Sequence, residues 1–211
     1  MRKWLPASLI AVAWAVSFAL FDRLPVRIPT HWNLGGQVDG WSARTAGTFG
    51  MPALMLVIWG VCYWLPAIDP RRVNYARFRD TYDTVVAAVL GVMLVTHGSM
   101  LAIALGVDLP VPILIPLTVG VLLVVIGNLL PRARPNWFFG IRTPWTLSND
   151  RVWERTHRVG GRVMVIAGIL VAVRGFAAGP WLTILIPIAA VGAAIIPVVY
   201  SYIVWRGERH R

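Results

Sequence analysis

Six long apolar runs, separated by short segments that hold nearly all the charge, limit what this chain can fold into. The runs lie near residues 4–21, 49–66, 83–106, 111–130, 163–180 and 182–204. About 20 predominantly apolar residues make a helix long enough to cross the hydrocarbon core of a bilayer. In hydrocarbon every backbone N–H and C=O must be bonded within the chain, so runs of this length are helices. A membrane β-barrel would instead alternate apolar and polar residues over about ten positions. The expected fold class is therefore all-α: a polytopic membrane protein with six transmembrane helices. A soluble domain would carry about 25% charged residues; this chain of 211 residues carries 14%, against 57% apolar.

The positions of the charges set the orientation. Sixteen of the 20 Lys and Arg residues fall in alternate segments: the N-terminus, 67–80, 131–162 and the C-terminal tail. Three, Arg23, Arg27 and Arg44, fall on the opposite side, and Arg174 interrupts the fifth run. Basic loops are retained on the cytoplasmic side, so both the N and C termini are expected to be cytoplasmic. The net charge of +11 is then a membrane-face feature and implies no direct nucleic-acid partner. Many of the 11 Trp residues sit near run ends, where amphipathic rings prefer the headgroup level. Cys62 is the single cysteine, so no intramolecular disulfide forms. The basic Met1-Arg2-Lys3 start resembles a signal peptide, but the run ending at Asp22 lacks a small-x-small cleavage site and reads as a retained helix.

The chain is expected to be a single membrane domain, 1–211. Residues 1–66 form a first hairpin of helices with an ordered external loop at 22–48. Residues 67–130 form a second hairpin, 131–162 a cytoplasmic signature loop and helix start, and 163–211 a third hairpin and tail. In the external loop, Gly35-Gly36 and Asp39-Gly40 each have turn chemistry. His31, Trp32, Asn33, Asp39 and Trp41 supply polar groups and aromatic surfaces for a binding face. A structural cap lying on the membrane is the alternative. His31 and Asp39 alone are too few for a metal site, and no cofactor or metal is expected.

The inner segment reads Asn136-Trp137-Phe138-Phe139-Gly140-Ile141-Arg142-Thr143-Pro144-Trp145-Thr146-Leu147. Its prolines and glycine make it a loop, with its aromatics expected at the interface. Asn149 or Asp150 caps a new helix that runs into the fifth span. There Glu154 and Arg158 are spaced to pair, and Trp153 and His157 share a face. His157 is either a structural hydrogen-bonder or a titrating switch. Gly160-Gly161 allows close helix approach.

Two stretches resemble known families. The outer Pro29-Thr30-His31-Trp32-Asn33, with Gly36 and Asp39-Gly40, is similar to a small membrane domain of unknown function often found at the start of SdpI-like proteins. The inner stretch, with Asn136, Phe139, Gly140, Arg142, Thr143, Pro144 and Trp145, resembles the signature of the SdpI family. Its continuation is matched by Trp153, Thr156, His157, Arg158 and Gly160. The resemblance implies a membrane immunity protein of a bacterial killing-factor system, resident in the cytoplasmic membrane. The partners it implies are the lipid bilayer, a secreted peptide toxin at the outer face and a cytoplasmic repressor protein held at the inner loop. It implies no catalytic residues.

Intramembrane polar residues are the remaining candidates: His97, Asp108 and Arg174. Arg174 lies 12 residues beyond Arg162, roughly 18 Å of helix. Contact with Asp108 would neutralise it, with Asp22 or Asp39 as alternative partners; snorkelling to headgroups needs no partner. His97 is placed for a helix-to-helix hydrogen bond or for proton or ligand handling. Three functions remain open: an immunity or sensor protein, a small-solute or ion transporter, and a membrane enzyme. A transporter would need a mid-membrane polar cavity and repeated halves, and no clear repeat is present. An enzyme would need paired carboxylates or a nucleophile–base pair, whereas the nine acidic residues are scattered.

Overall fold

A computed structural model of the chain describes residues 4–33, 35–176 and 184–209. The 177–180 turn, the Gly179 half of a Gly175-x-x-x-Gly179 contact, and the terminal Arg2, Lys3 and Arg211 lie outside the described residues. The helices are α1 (Leu5–Leu20), α2 (Arg44–Ile68), α3 (Arg79–Ala104), α4 (Val111–Leu129), a short α5 (Pro144–Ser148), α6 (Asp150–Arg174) and α7 (Leu185–Glu208). Six of them, all but α5, are long and apolar enough to cross a membrane.

Local chemistry sets the helix ends. Pro6 and Pro112 stand in the first turns of α1 and α4, where a missing N–H is harmless. Before Pro70 the helical conformation is disfavoured, and α2 stops at Ile68 with Asp69 extended. Gly106, at φ +89°, turns the chain out of α3. Asn149 caps α6 by accepting from the N–H groups of Arg151 and Val152.

Two differences from the sequence reading stand out. Residues 22–48 are not all loop. They hold an antiparallel β-hairpin, β1 (Arg27–Trp32) and β2 (Val38–Ala43), and α2 begins at Arg44 rather than 49. Asp39-Gly40 lies within β2 and makes no turn. The reversal falls at Gly36, at φ +80°. Both strands are edges, so Pro29 is tolerated within β1. Secondly, α3 begins at Arg79 rather than 83, whereas α6 begins at Asp150, where the sequence reading has it.

The helices pack in two groups. In the first, Ile10 and Ala13 of α1, Met55 of α2 and Tyr82, Val86 and Leu90 of α3 share a core. In the second, α6 lies between α4 and α7. Here glycines recur every seven residues, two helical turns: Gly161 and Gly168 on α6 and Gly175 at its end, against Gly127, Gly120 and Ile113 on antiparallel α4. A Cβ on Gly168 would come 2.6 Å from the Gly120 carbonyl oxygen, and one on Gly161 would come 2.5 Å from that of Gly127. The two backbones therefore touch, as small residues permit between membrane helices.

Candidate functional site

The hairpin occupies one end of the bundle and the 131–149 segment the other. At the second end, α2 delivers Asp69, which is only 2% exposed. One Asp69 oxygen accepts the Arg71 N–H at 2.6 Å. The other accepts the Trp137 N–H at 2.8 Å and the Tyr75 hydroxyl at 3.1 Å. Burial, and then the carboxylate beside it, hold the Tyr75 hydroxyl well above the usual phenol range.

Asn136 is fully buried and bonded on all sides. Its amide donates to the carbonyls of Arg134 (2.8 Å) and Phe139 (2.9 Å). Its oxygen accepts from the N–H groups of Phe138 (3.0 Å) and Phe139 (2.6 Å), and from Tyr75 (3.2 Å). Asn74 donates to the Pro135 carbonyl at 2.7 Å. The loop is thus folded onto the 69–78 segment. Phe139 does not rest at the interface: it packs on Phe78 and Tyr82 in the core. Trp137, 49% exposed, is the aromatic that faces outward.

The second half of the loop is tied to α6 and α7. Gly140 has φ +106°, and a Cβ there would collide with His157 Nε2. That Nε2 accepts the Ile141 N–H at 3.0 Å, so the ring proton is on Nδ1, which donates to the Trp153 carbonyl at 2.8 Å. His157 stacks on Trp153 with ring centroids 4.0 Å apart, and Trp153 Nε1 donates to the Ala133 carbonyl at 2.9 Å. Thr143 caps α5 reciprocally with Thr146, with Pro144 in the first turn. Its hydroxyl is also 3.0 Å from that of Ser201 on α7. Trp145 packs against Tyr202 and Trp205. Arg142 is exposed and donates to the Trp137 carbonyl at 2.9 Å. Ile141 reaches over Gly160, where a Cβ would strike it. Thr156 is buried, and Arg158 is exposed. Glu154 pairs with Arg134 at 3.4 Å, not with Arg158 four residues on. Arg151 and Arg155 both reach Glu208, at 3.6 and 3.5 Å, tying α6 to the end of α7.

At the hairpin end, Ile28 is fully buried beside Leu24, Met100 and Leu101. Across the strands His31 pairs with Asp39, and Thr30 bonds Ser42. Asn33 Oδ1 accepts from the N–H groups of Gly35 and Gln37, fixing the turn. A Cβ on Gly36 would come 2.5 Å from Pro112, so the turn rests on the start of α4. Trp41 is 52% exposed. Beneath the hairpin, Thr30, His31, Trp32, Asn33 and residues of α3, α4, α6 and α7, Arg174 among them, line an open-sided cavity of about 390 Å³.

The intramembrane polar residues do not come together. His97 is fully buried, with Nε2 2.8 Å from the Ser17 hydroxyl between α1 and α3. Asp108 is exposed. No ion pair joins it to Arg174 among the described residues, and Asp39 is taken by His31. Also among the described residues, no group of three His, Cys, Asp or Glu could hold a metal ion. Sequence reasoning missed Asp69, Asn74 and Tyr75. The one signal for Asp69 is that it is an isolated carboxylate in an arginine-rich loop.

Comparison with known proteins agrees with this division. Residues 132–201 match the SdpI/YfhL protein family, and residues 8–56 match a domain of unknown function, DUF1648. The chain is 26% identical over 194 residues to the immunity protein SdpI of Bacillus subtilis (strain 168), covering 92% of this chain and 91% of that one. No solved structure matches. With its buried loop motif inside the region matched by the SdpI/YfhL family and six helices fit to cross a bilayer, the chain is a multi-pass membrane protein similar to SdpI over most of its length.

Proposed function

We infer that this protein confers immunity on the bacterium that carries it, protecting its membrane from a secreted toxin peptide. The single observation that carries this reading is the likeness to an immunity protein across nine-tenths of both chains. The arrangement of groups supports it. The loop polar groups, from Asp69 and Asn136 to His157, are taken up in holding the loop's own backbone, which supports a binding role rather than a catalytic one. His97, Asp108 and Arg174 do not line one path, which weighs against transport.

The basic loops put both termini and the 131–162 segment on the cytoplasmic side. The hairpin then faces outward and offers Trp41, His31 and Asn33 to the toxin. On the inside, Trp137, Arg142 and Arg158 form the face that holds a cytoplasmic repressor. Deleting the gene should sensitise the cell to the peptide encoded beside it, and restoring the chain on a plasmid should return survival. Equal killing of deleted and restored cells would end the immunity reading.

A further inference from the structure

The cavity beneath the hairpin has polar groups at its mouth and apolar walls below. Thr30, His31 and Asn33 edge the mouth, and Met100, Ile103 and Ile115 make much of the wall. Its volume of about 390 Å³ falls within the range of small-molecule sites. The mouth's polar groups already have partners: Thr30 with Ser42, His31 with Asp39, and Asn33 with its own turn. Arg174 differs. Its Nε is buried without a hydrogen-bond partner among the described residues. A guanidinium at this depth is costly unless it meets an anion or water. Among the described residues no carboxylate lines the cavity, which leaves the place beside Arg174 open to a ligand's anion.

We propose that this cavity binds an anionic phospholipid, with an acyl chain between α3, α4 and α6 and the phosphate on Arg174. Two physical arguments select this occupant. A peptide segment would bring backbone N–H and C=O groups against walls that cannot bond them, whereas an acyl chain brings none. Entry from the side is also open: the wall residue Val119 is 38% exposed on a helix apolar enough to span the bilayer. The absence of a lining carboxylate sets the head group. Both head groups bring a phosphate to Arg174, but a choline ammonium cancels its charge there, while a glycerol head leaves the negative charge whole.

The test uses the full-length protein in detergent, with phosphatidylglycerol or phosphatidylcholine added and adducts counted by native mass spectrometry. One phosphatidylglycerol should be retained per chain in preference to phosphatidylcholine. Arg174→Gln should weaken that adduct about tenfold, the loss of one charge-assisted contact. Ile115→Trp, which fills the cavity and keeps the charge, should weaken it as much, and decides the matter if Arg174→Gln does not accumulate. Equal retention of the two lipids, or retention unchanged by Ile115→Trp, overturns the proposal. So does displacement of the lipid by an apolar peptide with a free carboxylate, which would make the cavity a peptide site. No toxin enters the measurement, so its outcome is independent of the immunity reading.

Discussion

Asn136→Asp destabilises the folded protein by roughly 3 kcal/mol or more, the largest effect expected from a single isosteric change in the loop. The wild-type amide donates to two carbonyl oxygens, of Arg134 and Phe139. A carboxylate has no proton for either. It would instead place negative charge against both, within a site that water does not reach. A lost partner at a buried polar group costs about 1–3 kcal/mol, and here two carbonyls lose theirs together. Arg142→Gln is the contrast, because it removes one exposed hydrogen bond to the Trp137 carbonyl. Thermal unfolding in detergent should therefore show a much lower midpoint for Asn136→Asp and a small shift for Arg142→Gln. Equal midpoints for the two would mean that the loop is not built around Asn136.

Gly168→Val comes next, at about 3 kcal/mol. A side chain at 168 meets the Gly120 carbonyl oxygen at 2.6 Å and the Val124 nitrogen at 2.9 Å. Both are backbone atoms and cannot swing aside, so α4 and α6 must separate along their length. Overpacking costs about 1–3 kcal/mol where neighbours can adjust, and these cannot. Gly91→Val on α3 adds the same bulk where nothing lies within 4 Å, and should leave the midpoint nearly unchanged. A similar drop for both would trace the effect to β-branching in a helix and not to the α4–α6 contact.

How much of this was legible in the sequence depends on the range of the interaction. The six long helices are written in local apolar runs, and the α6 start in Asn149-Asp150. The glycine contact is also local information. Gly161, Gly168 and Gly175 repeat at seven, as do Gly120 and Gly127, and a four-residue spacing at Gly175 and Gly179 overlooks them. The hairpin is harder to read, because β1 contains Pro29 and β2 contains Asp39-Gly40, which has turn chemistry. What fixes the strand pairing is tertiary: Ile28 buried on α3, with Gly47 close against it.

The loop site was legible as a motif but not as a structure. Nothing near Asn136 announces that Tyr75 will bond it, or that Asp69 will bond the Trp137 N–H beside it, both from more than sixty residues earlier. The motif's aromatics illustrate the same gap. By composition Trp137 and Phe139 are alike, yet one faces out and the other joins Phe78 and Tyr82. Arg174 is the reverse case. Its depth follows from helix rise alone, but the space beside it depends on where the hairpin sits.

Outer recognition and inner anchoring both require the hairpin and the loop motif to lie on opposite sides of the membrane. In a Cys62→Ser background, single cysteines at Trp41 and Trp137, both about half exposed, can be probed with a membrane-impermeant maleimide on intact cells. Labelling of Trp41→Cys at once, and of Trp137→Cys only after permeabilisation, is the predicted result. Labelling of both from outside would contradict it.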